Sequence, residues 1–165
     1  MSLELTLLGG FQARLSTGIA LRLPARKAQA LLAYLGIRPG QAHPRDKLAA
    51  LLWGESREDQ ARDGLRHALA ALRQALPVTK PPILLVEGAT LALHAAAVEV
   101  DVAAFEQHVA QGGPDAWERA TQLYGGDLLS GFSVNEPLFE EWLMAERERL
   151  RELALDALAK LLAHQ

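Results

Sequence analysis

Three arginines recur in one stretch of the sequence at spacings that bring them together on one flank of a helix. Arg62, Arg66 and Arg73 lie within residues 57–76, where an apolar stripe is formed by Leu65, Leu69, Leu72 and Leu76. A guanidinium group can donate two parallel hydrogen bonds to a phosphate or to the edge of a guanine. The pattern therefore fits either a helix that contacts nucleic acid or an ordinary surface helix whose arginines pair with nearby carboxylates.

The outward side of the same stretch carries polar residues besides the arginines, namely His67 and Gln74. On a helical wheel, Arg66 and His67 point most directly away from the leucine stripe. We therefore expect these two to face a DNA groove, and Arg62 and Arg73 to contact the phosphate backbone.

Four more basic residues stand near the starts of the two preceding predicted helices: Arg26, Lys27, Arg45 and Lys47. Free N–H groups at a helix N-terminus attract phosphate, and basic side chains there strengthen such a site. Solubility explains any one of them equally well, but as a set they favour a polyanionic partner.

Charge is distributed unevenly along the 165 residues. Residues 1–97 contain 12 Lys and Arg against 7 Asp and Glu, whereas residues 98–165 contain 5 against 13. The formal net charge of −3 at pH 7 hides this asymmetry. A basic part joined to an acidic part indicates two modules with different partners, which we place at residues 1–97 and 98–165.

Local patterns in the first module predict short strands, three helices and a hairpin. The predicted strands of an antiparallel meander are 3–8, 11–15 and 19–23, separated by turns that contain glycine. The predicted helices are 25–37, 45–53 and 57–76, and the hairpin runs are 83–86 and 91–94. This order predicts an α+β winged helix-turn-helix with a leading β-meander.

The second module carries helical patterns only, at 101–111, 114–124 and 136–163. We predict an all-α antiparallel array of the helical-repeat (TPR-like) kind. Its aromatic residues stand among leucines and are expected in the core: Phe105, Trp117, Tyr124, Phe139 and Trp142. Its acidic residues are expected on a charged helix surface: Glu136, Glu140, Glu141, Glu146 and Glu148.

Enzyme, metal and cofactor signals are missing from the sequence. The chain contains no cysteine, its five histidines are scattered, and no phosphate-binding loop, dinucleotide-binding motif or nucleophile elbow occurs. We expect no enzymatic activity, no metal and no cofactor. No signal peptide or membrane-length apolar run is visible, so the expected location is the cytoplasm, without membrane contact.

Taken together, these segments resemble the SARP-type antibiotic regulatory proteins, in which a response-regulator-like winged helix precedes a bacterial transcriptional activator domain. In the first module the resemblance is carried by KAQALLAYL (27–35), RDKLAALLWG (45–54) and ARDGLRHALAALRQAL (61–76). In the second it is carried by VDVAAFE (100–106), LYGGDLLSG (123–131) and FEEWLMAERER (139–149).

The resemblance implies a transcriptional regulator, usually an activator, that binds double-stranded promoter DNA through the winged helix, often as a homodimer on direct repeats. It implies that the helical domain contacts proteins, including RNA polymerase. Members of full length usually have a longer helical domain, which predicts that this chain is a fragment or a short member.

A second hypothesis is a protein-interaction scaffold whose winged helix has lost specific DNA readout. Ala70 and Ala71 stand where the family usually has polar or basic residues, and the turn of the hairpin has Gly88-Ala89 beside Glu87. These residues remove groups that would contact bases or phosphates.

Overall fold

The computed structural model describes residues 2–164, which form a mixed α/β fold of small sheets and several helices. The strands are β1 (Leu3–Thr6), β2 (Gln12–Leu15), β3 (His43–Pro44), β4 (Leu84–Glu87), β5 (Thr90–Leu93) and β6 (Val98–Val100). The helices are α1 (Arg26–Ile37), α2 (Arg45–Trp53), α3 (Glu58–Ala75), α4 (Asp101–Gln111), α5 (Pro114–Leu123) and α6 (Pro137–His164). Every predicted helix is present, with bounds within two residues of those expected.

The described residues form two three-stranded sheets. In the first sheet β1 lies in the centre, antiparallel to β2 and parallel to β6. In the second sheet β5 lies in the centre, between β3 and β4. Strands β4 and β5 form the predicted hairpin, and Gly88 in its turn has a φ of +59°, a conformation that glycine adopts without steric cost.

The expected three-strand meander at the N-terminus is wrong in its third strand. Residues 19–23 make only an isolated β-bridge, between Ala20 and Arg14. Pro24 ends the run, and Ile19 remains 64% exposed, so little apolar surface would be gained by extending the pairing. The third strand of this sheet is instead β6, which comes from the start of the predicted second module.

Helix α3 forms because its apolar residues repeat at helical spacing and face inward. Its buried residues are Ala61, Leu65, Ala68, Leu69 and Leu72, as the leucine stripe predicts. Gly64 lies where α3 crosses α2, directly against the indole of Trp53. The absent side chain lets the two helices approach closely.

Helices α4, α5 and α6 pack in sequence order, and their core is continuous with that of the first module. Phe105 and Phe139 are fully buried, as expected for core aromatics. The C-terminal half of α6 extends past its neighbours, leaving Leu155, Leu158 and Leu162 exposed. None of the helices within residues 2–164 combines the length and apolarity needed to cross a membrane.

The carboxylate of Asp101 fastens the start of α4 to the first sheet. Its Oδ1 accepts from the N–H of Leu7 and Val102, and its Oδ2 accepts from the N–H of Leu8, each at 2.9 Å. Burial raises the pKa of Asp101, although the three donors favour the ionised form. Since β6 also pairs across the expected boundary at residues 97 and 98, the two modules share a sheet, and their division stays a prediction.

Arg147 of α6 holds the segment that follows α5. Its guanidinium donates to the carbonyl oxygens of Leu128 and Leu129, each at 2.7 Å. The N–H of Leu129 in turn donates to the oxygen of Leu7 at 2.8 Å. Helix α6 is therefore joined through this segment to the N-terminal sheet.

Candidate nucleic-acid interface

The middle of α3 presents its predicted polar residues to solvent. Arg62 pairs with Glu58 at 2.9 Å and Arg66 pairs with Asp63 at 3.2 Å, within the same helix. The side chains of Arg62 and Arg66 are 57% and 73% exposed. Exposed pairs of this kind contribute about 0–1 kcal/mol, so a phosphate could replace either carboxylate at little cost.

The remaining predicted residues of α3 are also exposed: His67, Arg73 and Gln74. Among residues 2–164 none of these side chains has a hydrogen-bond or ion-pair partner. Arg73 lies in the last turn, where the helix dipole favours a positive charge. All three are available to an external ligand.

The first turn of α3 is acidic, in contrast to its middle. Glu58 and Asp59 occupy it, and a hydrogen bond from Arg57 lowers the pKa of Asp59. The carboxylates offset the attraction that a helix N-terminus otherwise exerts on phosphate. Any anion is therefore drawn to the arginine-bearing middle of the helix and not to its start.

Arg45 joins two arginines of α3 in what we call the arginine cleft, a cleft of about 130 Å³ bordered by Arg45, Asp46, Arg62, Leu65 and Arg66. The backbone N–H of Arg45 donates to the oxygen of Ala89 in the β4–β5 turn at 2.8 Å. The Nε of Arg45 is shielded and has no partner among the described residues. The start of α2, the middle of α3 and the hairpin turn thus meet around three guanidinium groups.

Arg26 and Lys27 face the second module. Arg26 donates to the backbone oxygen of Ser133 at 3.2 Å and stacks 5.6 Å from the centre of the Phe132 ring. Lys27 pairs with Glu136 at 2.8 Å and lies 5.1 Å from the centre of a Trp53 ring. Both cations have partners within the molecule, although Arg26 is exposed and Lys27 partly so, and neither borders the arginine cleft. A role in binding nucleic acid stays a prediction for them.

Lys47 lies on a different side of α2 from the arginine cleft. It borders a second cleft, together with His43 and Trp142. Burial lowers the pKa of His43, and the charge of Lys47 lowers it further. Of the nine predicted residues, five are exposed on α3, Arg45 is partly buried beside them, Arg26 and Lys27 contact the loop before α6, and Lys47 borders the second cleft.

Glu136 was expected on a charged helix surface, and this prediction is wrong because the residue is only 8% exposed. Its partner Lys27 lies 109 positions earlier in the chain, so no local pattern could reveal the pair. Glu140 is also occupied, since its Oε1 accepts from the Ser133 hydroxyl and the Val134 N–H. Both carboxylates position the loop before α6.

Within residues 2–164, no three His, Asp or Glu side chains are grouped so that they could hold a metal ion. The arrangement around the arginine cleft offers guanidinium groups and helix surface.

Comparison with known proteins gives a match in fold. No protein-family model matches the chain, and no curated protein matches its sequence. A solved structure of Mycobacterium tuberculosis EmbR, in complex with a low-affinity phosphopeptide, is similar with a TM-score of 0.74 and 19% sequence identity. The match covers 96% of this chain and 44% of that one, so this chain spans less than half of the EmbR chain. At this identity the likeness shows the fold.

Proposed function

We propose that this chain is a DNA-binding transcriptional regulator that contacts promoter DNA through α3 and the arginine cleft. The observation that carries the proposal is the meeting of Arg45, Arg62 and Arg66 beside the β4–β5 turn. Three guanidinium groups at the junction of two helices and a hairpin suit the closely spaced phosphates of a duplex.

The order of elements supports this assignment. Helices α1, α2 and α3 followed by the β4–β5 hairpin form the sequence of elements of a winged helix-turn-helix, in which the third helix enters the major groove. EmbR, a regulator of the SARP family that the sequence resembles, has the same fold over nearly all of this chain.

Residue roles follow from position on α3. Arg66 and His67 are assigned to the groove, where arginine can donate to O6 and N7 of guanine. Arg62, Arg73 and Arg45 are assigned to phosphates, with Gln74 beside them. The middle of the outward face has Ala70, which offers no hydrogen bond, so phosphate contacts supply most of the affinity.

The helical module is proposed to contact proteins. The family resemblance suggests RNA polymerase and a second copy of the chain on direct DNA repeats. EmbR is found with a phosphopeptide, which is consistent with peptide or protein partners for regulators of this fold. Activation of transcription, by recruitment of polymerase, belongs to the same proposal.

The test is fluorescence anisotropy with labelled random-sequence duplexes, followed by selection of preferred sites from the random pool. Binding should weaken steeply as salt increases, because each neutralised phosphate releases counterions. Arg45→Ala and Arg62→Ala should each reduce the salt slope by about 1. Arg119→Ala, which removes an exposed arginine from α5, changes the net charge equally and should leave the slope unchanged.

Comparing the affinity of each variant for preferred and for random duplexes then distinguishes residues that contact bases from those that contact the phosphate backbone. Arg66→Ala should reduce discrimination between preferred and random sites, whereas Arg62→Ala should weaken all sites alike. Absence of binding at low salt, or equal effects of Arg45→Ala and Arg119→Ala, would contradict the proposal.

The alternative is a protein-interaction scaffold without specific DNA readout. It is favoured by the pairing of Arg62 and Arg66 with carboxylates of their own helix, and by Ala70 on the outward face. Co-purification of a partner by the helical module, with no anisotropy change on any duplex, would select this function.

A further inference from the structure

The second cleft opens between the three-helix unit and α6, apart from the arginine cleft. It has a volume of about 180 Å³, and its aromatic wall is formed by Tyr34, His43 and Trp142. The ring centres of Tyr34 and His43 lie 5.0 Å apart, and those of Tyr34 and Trp142 lie 4.8 Å apart. Three rings from α1, β3 and α6 therefore pack against one another and form one wall of the cleft.

His43 has unused hydrogen-bonding capacity in this wall. The residue is 5% exposed, and both of its ring nitrogens are shielded without a partner among residues 2–164. A buried polar group without a partner is unfavourable, and most such groups in folded proteins are satisfied. Since burial and Lys47 hold the imidazole neutral, one nitrogen can donate and the other can accept.

The free charge at the mouth of the cleft is positive. Arg38 and Lys47 border it, and neither has an ion-pair partner within the described part of the chain. Glu146 also borders it, but Arg149 already donates to its Oε2 from Nη2 at 2.7 Å and from Nε at 3.0 Å. The same guanidinium also donates to Oε1 of Glu106 at 2.9 Å, so it serves two carboxylates and neutralises Glu146 only in part. An anionic group would thus meet two cations without an ion-pair partner among the described residues and one partly neutralised carboxylate.

We propose that this cleft binds a small aromatic carboxylate, with its ring against Tyr34 and Trp142 and its carboxylate between Arg38 and Lys47. The volume suits a single substituted ring and is below the roughly 300 Å³ at which pockets for drug-sized ligands begin. The nitrogens of His43 are shielded in this structure, so a ring substituent would reach them only after the aromatic wall shifts. This ligand site is independent of the DNA-binding proposal.

The cleft lies between the three-helix unit and α6, so a bound ligand would contact both. His43 and Pro44 form β3, which pairs with Leu91 and Thr90 of the hairpin, and Trp142 belongs to α6. A bound ring therefore touches both the three-helix unit and the second module and stabilises their contact.

Isothermal titration calorimetry and NMR of the histidine and tryptophan side chains test the site with benzoate and salicylate on the full chain. Benzoate and salicylate should both bind, and both should shift the His43 and Trp142 resonances. Benzamide lacks the charge and inorganic phosphate lacks the ring, so both should bind at least about tenfold more weakly than benzoate.

Charge-removing variants locate the carboxylate. Arg38→Gln and Lys47→Gln alter exposed side chains and should each weaken benzoate binding about tenfold, whereas the matched control Arg22→Gln should leave it unchanged. The proposal is overturned if benzoate shifts neither resonance, if phosphate or benzamide binds as tightly as benzoate, or if Arg22→Gln has the same effect as Lys47→Gln.

Discussion

The Nζ atom of Lys27 donates to Oε2 of Glu136 at 2.8 Å, and the receiving carboxyl group is almost fully enclosed. The second oxygen of Glu136 is shielded and has no partner among residues 2–164. The ammonium group is thus the counterion of a carboxylate held at the contact between α1 and the loop before α6. A cation that the sequence favours for phosphate binding is also the contact between α1 and this loop.

Replacing Lys27 with Met should lower the free energy of unfolding by about 2 kcal/mol. Removal of one partner of a fully buried pair costs about 3–5 kcal/mol, and the partial exposure of Lys27 reduces this. Urea denaturation followed by circular dichroism measures the change. The double variant Lys27→Met/Glu136→Gln removes the unpaired charge and should recover more than half of the loss; additive single losses would disprove the coupling.

Replacing Gly64 with Ala should destabilise the protein by about 1–3 kcal/mol, although alanine is the better helix former. The new Cβ would lie against Nε1 of Trp53 and 2.8 Å from its Cδ1. Thermal and urea unfolding measure the effect. In a Trp53→Leu background, which removes the ring, the same substitution should cost less; an equal cost in both backgrounds would exclude the steric cause.

Acidification should destabilise the native protein through His43. Burial and Lys47 lower its pKa in the native state, so below about pH 6.5 the unfolded chain binds more protons and stability falls. The charged groups that face this ring are Arg38, Lys47 and Glu146. Urea denaturation between pH 8 and pH 5 should show that His43→Phe loses less stability than the natural chain.

Lys47→Gln tests whether the charge of Lys47 contributes to the lowered pKa of His43. Removing its charge should raise the pKa of His43 toward the ordinary value and reduce the loss on acidification without abolishing it. If His43→Phe and the natural chain show the same pH dependence, His43 is not the responsible group.

Replacing Asp101 with Asn should cost about 1–3 kcal/mol, because an amide nitrogen cannot accept the hydrogen bond from the N–H of Leu8. Urea denaturation at pH 7 measures the loss. Asp115→Asn is the control, since Asp115 also lies in the first turn of a helix but is exposed. We expect it to cost less than about 1 kcal/mol, and equal costs would mean that the backbone contacts of Asp101 add nothing.

The helices were predictable because each is encoded by its own apolar spacing. The periodicity within residues 57–76 and the Pro-containing and Gly-containing breaks around each helix are local features, and local rules locate them. The hairpin at Gly88 was predictable for the same reason, since two apolar runs flank one turn.

Features that depend on distant partners were not predictable. Strand β6 has three residues and becomes a strand only because β1 lies beside it, and β3 has two residues that pair with β5. At the candidate site, the exposure of Arg62 and Arg66 could be predicted from their positions on a helical wheel. The contacts of Arg26 and Lys27 with the loop at residues 133–136 depend on tertiary packing that no local pattern encodes.

The parallel pairing of β1 with β6 also sets an order for folding on the ribosome. β1 and β2 emerge first, but a two-stranded ribbon is marginally stable in water, and its third strand is synthesised only after α1, α2, α3 and the hairpin. The helices, which are rich in short-range contacts, can pack together while the edge of β1 that later pairs with β6 is still unpaired. Closure of that edge by β6 is therefore a late event, and the nascent chain is most vulnerable to misassociation just before residue 98 leaves the exit tunnel.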